Sequence, residues 1–316
     1  MTAHNHHFVS QMYLRGFTSD GTKNGQLVVL DQKTRKSFTT VPRNVGSERD
    51  FNRLDAEGIE PDMLENELGK IETAAADALT ALSSGEAFDG KIKEDILTLA
   101  AFLHIRSPAR REQWRKFRAR TTEMIMSQVL ATPERYEQQV RRMKEDGVQV
   151  GDATYEQMRD FFERKQYTIE LARESHIHTE FVGISAIMPS LFRRHWILLE
   201  TGPDTGPFIT CDHPVNLTWR NPDVIPPIYR QSPGHEAEDT RVWVPLTKHL
   251  ALLGEFDRPD GRGVATGQLV ASFNALTAMY AQRQIYTPTL DFRFVDGAND
   301  FHTGHDLLAK LQEAEG

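Results

Sequence analysis

The chain has 316 residues, an apolar content of 39%, a net charge of -8 and a single cysteine. This length and composition suffice for one large domain or two modest ones with a real core. The negative net charge argues against a protein that coats DNA in general. It does not exclude a nuclease with a local basic groove. The lone Cys211 excludes an intramolecular disulfide and a thiolate-rich zinc site. We therefore expect a cytoplasmic protein without a signal peptide or a membrane span.

The hydrophobic pattern changes twice along the chain. Residues 8–17 predict a short helix or an extended segment, and residues 26–42 alternate as a β-hairpin does. Helical spacing begins near residue 57 and continues to about 193. Short apolar runs separated by Gly, Pro and Asp then predict strands, and a last helix is expected over 270–286.

This order predicts an α+β fold in which the N-terminal hairpin and the C-terminal strands share a sheet, with a large helical middle region. The β segments at the two ends are each too small to be stable alone. We therefore expect a single composite domain over 1–316, which is β-rich in 1–56, helical in 57–193 and α+β in 194–316.

Three histidines stand close together at the start of the chain, in the stretch HNHH: His4, His6 and His7. Imidazole is the commonest zinc ligand and the side chain best suited to moving protons near neutral pH. Two interpretations remain open. The group is a catalytic or metal-binding head, or it holds one buried, hydrogen-bonded histidine beside solvated neighbours.

A second group of polar residues follows an apolar strand in FITCDHPVN, where Thr210, Asp212 and His213 stand at the strand's end. Polar side chains held at the end of a rigid strand are well placed for catalysis or binding. The alternative is a turn in which Asp212 accepts hydrogen bonds from backbone amides. Cys211 is interpreted as a small core residue.

A third group ends the apolar helix LAAFLHIRS, where Arg106 could hold a phosphate or carboxylate in bidentate fashion. A solvated helix face is the default interpretation of the basic cluster that follows, and an RNA or DNA track with Trp114 and Phe117 is the alternative. The cluster comprises Arg106, Arg110, Arg111, Arg115, Lys116, Arg118 and Arg120. No nucleotide-binding glycine loop, zinc-protease helix motif or serine-hydrolase elbow occurs.

Four stretches resemble, in order, motifs of the bacterial family called domain of unknown function 4238. HHFVSQMYLRGF is similar to its opening HHYVPQFYLRxF, and LAAFLHIRSPARR to its helix ending in Arg-[Ser/Thr]-Pro. FITCDHPV is similar to its FITSDNPV strand, and WVPLTKHLALLG with FNALTAMYAQRQIY to its C-terminal strand and helix. The chain departs from these motifs at Ser10, Cys211 and His213, where proline, serine and asparagine are usual.

The resemblance implies a shared set of polar residues, and it places the histidine pair inside a family motif rather than an expression tag. An active site assembled from strand ends and helix ends would explain so many scattered polar types. The matching positions are His6, His7, Gln11, Tyr13, Glu72, Arg106, Thr210, Asp212, Pro214 and Asn274.

From these residues we expect a hydrolase, with a phosphodiesterase or nuclease as the narrower hypothesis. His6 or His7 would be general base or metal ligand, Asp212 would orient a histidine or bind metal, and Arg106 would stabilise an anion. Gln11, Tyr13, Glu72, Thr210 and Asn274 are predicted to bind substrate, which would be a small molecule or a nucleic acid. If a divalent metal is bound, His6, His7 and Asp212 supply its ligands. The alternative is a binding module in which the same residues form a buried structural network.

Overall fold

The computed structural model of the chain describes residues 5–53, 63–165, 167–230 and 233–313. The helices are α1 Gln11–Arg15, α2 Met63–Ser83, α3 Gly90–Ile105, α4 Pro108–Val129, α5 Pro133–Glu145, α6 Tyr155–Glu163, α7 Arg173–Arg193, α8 Pro227–Arg230, α9 Gly267–Tyr280 and α10 Gly304–Glu313. The strands are β1 Asn5–His7, β2 Leu27–Asp31, β3 Lys36–Thr40, β4 Ser47–Arg49, β5 His195–Thr201, β6 Thr210–Cys211, β7 Asn216–Trp219, β8 Thr240–Pro245, β9 Leu250–Glu255, β10 Gly261–Ala265, β11 Gln284–Thr287, β12 Arg293–Val295 and β13 Phe301–Thr303.

The N-terminal hairpin and the C-terminal strands share a sheet, as the sequence predicts. In this four-stranded sheet, of order β3-β2-β11-β6, strand β11 runs antiparallel to both neighbours. A five-stranded sheet has the order β10-β5-β9-β8-β7, in which only the β10–β5 pair is parallel. Strands β1 and β4 form a two-stranded ribbon, as do β12 and β13. The α+β prediction is confirmed.

The chain groups into two compact units. The first comprises Met1–Ser107 and Ile177–Gly316, and the second comprises Pro108–His176. The sheets, α2 and α3 belong to the first unit, and α4, α5 and α6 belong to the second. The expectation of a single composite domain stays a prediction.

The core of the first unit is built around the N-terminal motif. Tyr13, Leu14 and Phe17 are fully buried and pack with side chains of α2, α3 and the five-stranded sheet. The carbonyl of Gly46 accepts the backbone N–H groups of Phe8 and Val9 at 2.9 and 3.1 Å. Gly46 has a φ of +66°, which disfavours a side chain there. These contacts fix the start of the chain to the core.

The last part of the chain differs from the expected single helix and tail. Helix α9 ends at Tyr280, and residues within the expected 270–286 helix form β11 instead. Ile285 and Tyr286 of β11 are fully buried and pair with strands on both sides. This tertiary pairing outweighs the local helical spacing. The expected tail forms β12, β13 and α10.

The second unit is a small helical assembly with little interior. None of the residues in α4, α5 and α6 is fully buried. Two tyrosine hydroxyls tie its segments together: Tyr155 donates to the carbonyl of Leu130 at 3.2 Å, and Tyr136 donates to that of Ala153 at 2.7 Å. Over the described ranges of the whole chain, no helix combines the length and apolar character that crossing a bilayer requires.

Candidate functional site

The histidine pair lies on β1, which is held by its antiparallel neighbour β4 with His6 opposite Glu48. Side chains alternate along a strand, so the two rings point to opposite sides. The His6 side is buried, at 3% exposure, and His7 is half-buried. Residue 4 lies outside the described residues.

Arg106 immediately follows α3, where its backbone turns extended at φ -95° and ψ 97°. Pro108, two residues on, disfavours helical geometry at Ser107, so the helix stops here. The Arg106 side chain is buried, and its Nε lies 3.4 Å from Oε2 of Glu180 on α7. Charged groups so far from water need such a partner.

Asn52 connects Arg106 to His6. Its backbone N–H donates to Nδ1 of His6 at 2.8 Å, while its Oδ1 accepts a hydrogen bond from Nη2 of Arg106. Its Nδ2 donates to Oε2 of Glu65 at 2.7 Å. Because Nδ1 of His6 is an acceptor, a neutral His6 ring carries its proton on Nε2.

A narrow cleft opens beside this network. Its volume available to the centre of a water molecule is about 20 Å³, enough for a single water. Four polar residues line it, namely His7, Ser10, Glu72 and Arg106. The remaining lining residues are apolar: Phe8, Leu68, Ile71, Leu99, Phe102 and Leu103.

His7 has an unsatisfied nitrogen in this environment. Its Nδ1 lies 3.4 Å from Nε2 of Gln11, and its buried Nε2 has no partner at normal hydrogen-bond geometry among the described residues, although the carbonyls of Arg43 and Pro42 act on the ring. Burial lowers the pKa of His7 below its usual 6.5, opposed by the charge of Glu65 and the backbone carbonyls of Arg43 and Pro42. The neutral imidazole is therefore favoured at neutral pH.

The pKa of Glu72 shifts in the opposite direction to that of His7. Burial raises the pKa of its carboxyl above the usual 4.5, and the charge of Glu65 adds to this. A hydrogen bond from Ser10 and the charge of Arg106 act against the rise. The cleft thus joins a base whose protonation is disfavoured to an acid whose ionisation is disfavoured.

Asp212 is occupied elsewhere in the structure. Its Oδ1 accepts the backbone N–H of Gln282 at 2.8 Å, and its Oδ2 accepts those of Arg283 and Gln284 at 2.8 and 3.0 Å. Burial raises the pKa of its carboxyl, against these three amide bonds. The arrangement resembles the amide-binding alternative, except that the amides come from the segment leading into β11.

The other residues predicted to bind substrate are also hydrogen bonded within the fold. The Tyr13 hydroxyl lies 2.7 Å from Oγ1 of Thr210 and donates to the carbonyl of Pro245 at 2.7 Å. The side chain of Asn274 accepts the N–H of Ile209 at 3.0 Å and donates to two carbonyls. Of this predicted set, the structure brings Gln11 and Glu72 to the histidine and arginine region.

The predicted metal ligands are not brought together by these contacts. No three His, Cys, Asp or Glu side chains within the described part of the chain are placed to hold one metal ion. The Nδ1 of His6 and both oxygens of Asp212 already accept backbone N–H groups. The metal assignment stays a prediction.

A family model described as "Protein of unknown function (DUF4238)" matches residues 5–289. The chain belongs to this family. The DUF4238 match begins at β1 and extends just past β11, so it includes every element that forms the cleft. No match was found among curated proteins or among solved structures.

Two departures from the DUF4238 motifs have a visible consequence. Ser10, where the motif has proline, caps α1 by accepting the N–H of Met12 at 3.2 Å, and it also hydrogen bonds to Glu72. His213, in the position of asparagine, lies against His104 with ring centroids 5.4 Å apart. Cys211 is fully buried in the core, as the sequence predicts.

Three residues of the site were not anticipated from the sequence: Asn52, Glu65 and Glu180. A signal existed for Glu65, which lies two helical turns before Glu72 on the same face of α2 as Leu68. Asn52 stands in a loop, and no spacing marks it. From the sequence, Glu180 would be expected on the exposed face of a helix, but its side chain is only 3% exposed in the structure.

Proposed function

We propose that this protein is a hydrolase of phosphodiester bonds, in which His7 and Glu72 transfer protons and Arg106 stabilises the phosphate. One observation carries the proposal: His7 and Glu72 line the same cleft and their pKa values are displaced in opposite directions. The two displacements bring the pKa values of the pair closer together and favour neutral His7 beside protonated Glu72, which is the pairing that a general base and a general acid require.

The proposed reaction needs no group beyond these residues and water. Neutral His7 takes a proton from water as the water oxygen bonds to phosphorus. The bond from phosphorus to the leaving oxygen breaks, and protonated Glu72 gives that oxygen its proton. A phosphomonoester and an alcohol result. Proton exchange with solvent returns both side chains to their starting states.

The size and charge of the cleft support this assignment. Its volume of about 20 Å³ fits one water, and its polar lining offers the two or more partners that a held water requires. The phosphodiester would then lie at the opening of the cleft. From the buried lining of the cleft, the guanidinium of Arg106 would oppose the negative charge that develops on the phosphoryl oxygens.

His6 acts as a positioning residue in this proposal. Through the N–H of Asn52 it fixes the loop whose side chain holds Arg106. The catalytic role predicted for Asp212 stays a prediction, and the mechanism does not use it.

A binding module with a buried structural network is the second candidate, and it also has an observation in its favour. Arg106 already has Glu180 and Asn52 as partners, and all three side chains are buried. In this interpretation the polar residues hold β1, α2, α3 and α7 in register without chemistry.

Turnover of an activated phosphodiester, such as bis(p-nitrophenyl) phosphate, separates the two candidates. We expect His7→Gln and Glu72→Gln each to lower the rate by about 10²- to 10⁴-fold, the range for loss of a general acid or base. Their melting temperatures should stay within a few degrees of the parent, because Glu72→Gln is isosteric and His7→Gln keeps a polar side chain of similar size.

His178→Gln is the matched control, since His178 is an exposed histidine on α7. It should leave both turnover and melting unchanged. Full turnover in His7→Gln and Glu72→Gln would refute the mechanism. A large fall in their melting temperature, with an inactive parent, would instead support the structural network.

A further inference from the structure

Helix α4 in the second unit exposes two aromatic side chains. Trp114 is 39% exposed and Phe117 is 61% exposed, and their ring centroids lie 6.2 Å apart. Met124 and Ile125 continue the exposed apolar surface at 56% and 55%. Exposed rings held on a regular helix have little freedom to lose when a flat ligand stacks on them.

Spacing places these residues on one side of the helix, together with arginines. Arg118 lies four residues after Trp114, and Arg120 lies three residues after Phe117, so each ring has an arginine one turn further on. At 1.5 Å per residue the surface from Trp114 to Ile125 is about 16 Å long. We call this surface the α4 platform.

The positive charges of the two arginines on the α4 platform are not neutralised by ion pairs among the described residues. Arg118 and Arg120 are exposed and have neither an ion-pair nor a hydrogen-bond partner among the described residues. By contrast, Arg115 and Lys116 lie 2.7 and 3.6 Å from Glu112. Basic residues outnumber acidic ones on α4 in a chain whose net charge is -8. They are Arg110, Arg111, Arg115, Lys116, Arg118 and Arg120, against Glu112 and Glu123.

We propose that the α4 platform binds single-stranded nucleic acid, with bases stacked on Trp114 and Phe117 and phosphates facing Arg118 and Arg120. Stacking aromatics combined with backbone-tracking cations is how proteins hold single strands without reading their sequence. A duplex hides the base faces that the rings would use. A lipid surface is less well matched, because α4 does not segregate its apolar and charged residues onto opposite faces.

This inference goes beyond the proposed hydrolase and does not rest on it. Binding by α4 is measured without turnover, and the small substrate used for the cleft has no bases. Absence of turnover with retained strand binding would overturn only the hydrolase. Normal turnover without strand binding would overturn only the α4 platform.

The test is fluorescence anisotropy of a labelled oligothymidylate and a labelled oligouridylate, titrated with the full chain. We expect Trp114→Ala with Phe117→Ala to weaken binding about tenfold or more, the effect of losing two stacking rings. Arg118→Ala with Arg120→Ala should lower the salt-dependence slope by about 1.4, or 0.7 for each lost single-strand contact.

Arg159→Ala with Arg164→Ala is the matched control. These substitutions remove the same charge from the same unit. The two arginines, however, lie in and just after α6, where Arg159 pairs with Glu163 and Arg164 pairs with Asp160, each at 2.8 Å. The control should change affinity less than about twofold. Equal losses in all three double variants would overturn the proposal, as would no oligonucleotide binding. Duplex binding insensitive to the ring changes, or binding only to phosphatidylserine vesicles, would also overturn it.

Discussion

His7 and Asp212 stand in two similar-looking motifs, but their surroundings in the structure differ. His7 is the last residue of the short strand β1, and Asp212 directly follows the short strand β6. Burial lowers the pKa of His7 and raises that of Asp212. The Asp212 carboxylate accepts three backbone amides, so its hydrogen-bonding capacity is largely used within the fold. His7 retains a buried nitrogen without a partner at normal hydrogen-bond geometry among the described residues, and it faces a cleft.

This difference in hydrogen bonding indicates which of the two side chains is available to a ligand. A buried polar atom that lacks a partner destabilises the native state, and a role in binding or catalysis is one explanation for its presence. A saturated carboxylate, in contrast, stabilises the segment that it binds. Saturation by backbone amides therefore separates the two groups better than residue type or burial does.

Removal of Arg106 should have the largest effect on stability. Arg106→Ala removes one half of the buried Arg106–Glu180 ion pair and the donor to Asn52, which we expect to lower the free energy of unfolding by about 3–5 kcal/mol. Urea titration measures this change. Arg106→Met combined with Glu180→Leu should recover most of the loss, because both charges of this buried pair are then removed together. A double variant as unstable as Arg106→Ala would contradict the ion-pair explanation.

Asp212→Ala should come next, since it leaves three backbone N–H groups without their acceptor. We expect a loss of about 3 kcal/mol in the free energy of unfolding, with turnover per folded molecule unchanged. Asp204→Ala, at an exposed aspartate, is the control and should be neutral. A stable but inactive Asp212→Ala protein would show that Asp212 takes part in catalysis, and it would contradict the difference between Asp212 and His7.

The pH dependence of stability should have opposite signs for the two cleft residues. His7 has a folded-state pKa below its unfolded value of 6.5, so the parent should lose stability relative to His7→Gln as pH falls below 6.5. Glu72 has a folded-state pKa above its unfolded value of 4.5, so the parent should lose stability relative to Glu72→Gln as pH rises above 4.5. Melting curves from about pH 4 to 8 test both slopes, and parallel curves would refute the pKa displacements.

Ser10→Pro should have the smallest effect. Residue 10 has a φ of -54°, which proline accepts, so stability should change by less than about 1 kcal/mol. Loss of the Ser10 hydrogen bond should raise the pKa of Glu72 further. The alkaline limb of the pH–rate profile should therefore move to higher pH by a fraction of a unit. A shift to lower pH would show that Ser10 does not act on Glu72.

Much of the fold was predictable because local pattern and tertiary structure agree there. The alternation in 26–42 gives β2 and β3, and the apolar helix before Ser107 gives α3. Strand β11 was not predictable, because its helical spacing continues that of α9 and only its pairing with β2 and β6 makes it a strand.

The candidate site was partly predictable for a related reason. His7 stood out in a cluster of three histidines and Arg106 at the end of an apolar helix, and the structure places both at one cleft. The partners of Asp212 are backbone groups some seventy residues away, and a sequence carries no mark of which amides an aspartate will meet. Asn52 was missed because a loop residue acts through contacts that spacing does not encode.

The position of β11 between β2 and β6 also governs how the protein can be made. Arg283, just before β11, donates a hydrogen bond to Asp31 of β2 across 252 residues of chain. On the ribosome, the β2–β3 hairpin therefore emerges long before the strand that covers its edge. Domains usually fold from the N-terminus as synthesis proceeds, but the edge of β2 that pairs with β11 stays unpaired until residue 287 has been translated. An unpaired strand edge of this kind can pair with another chain.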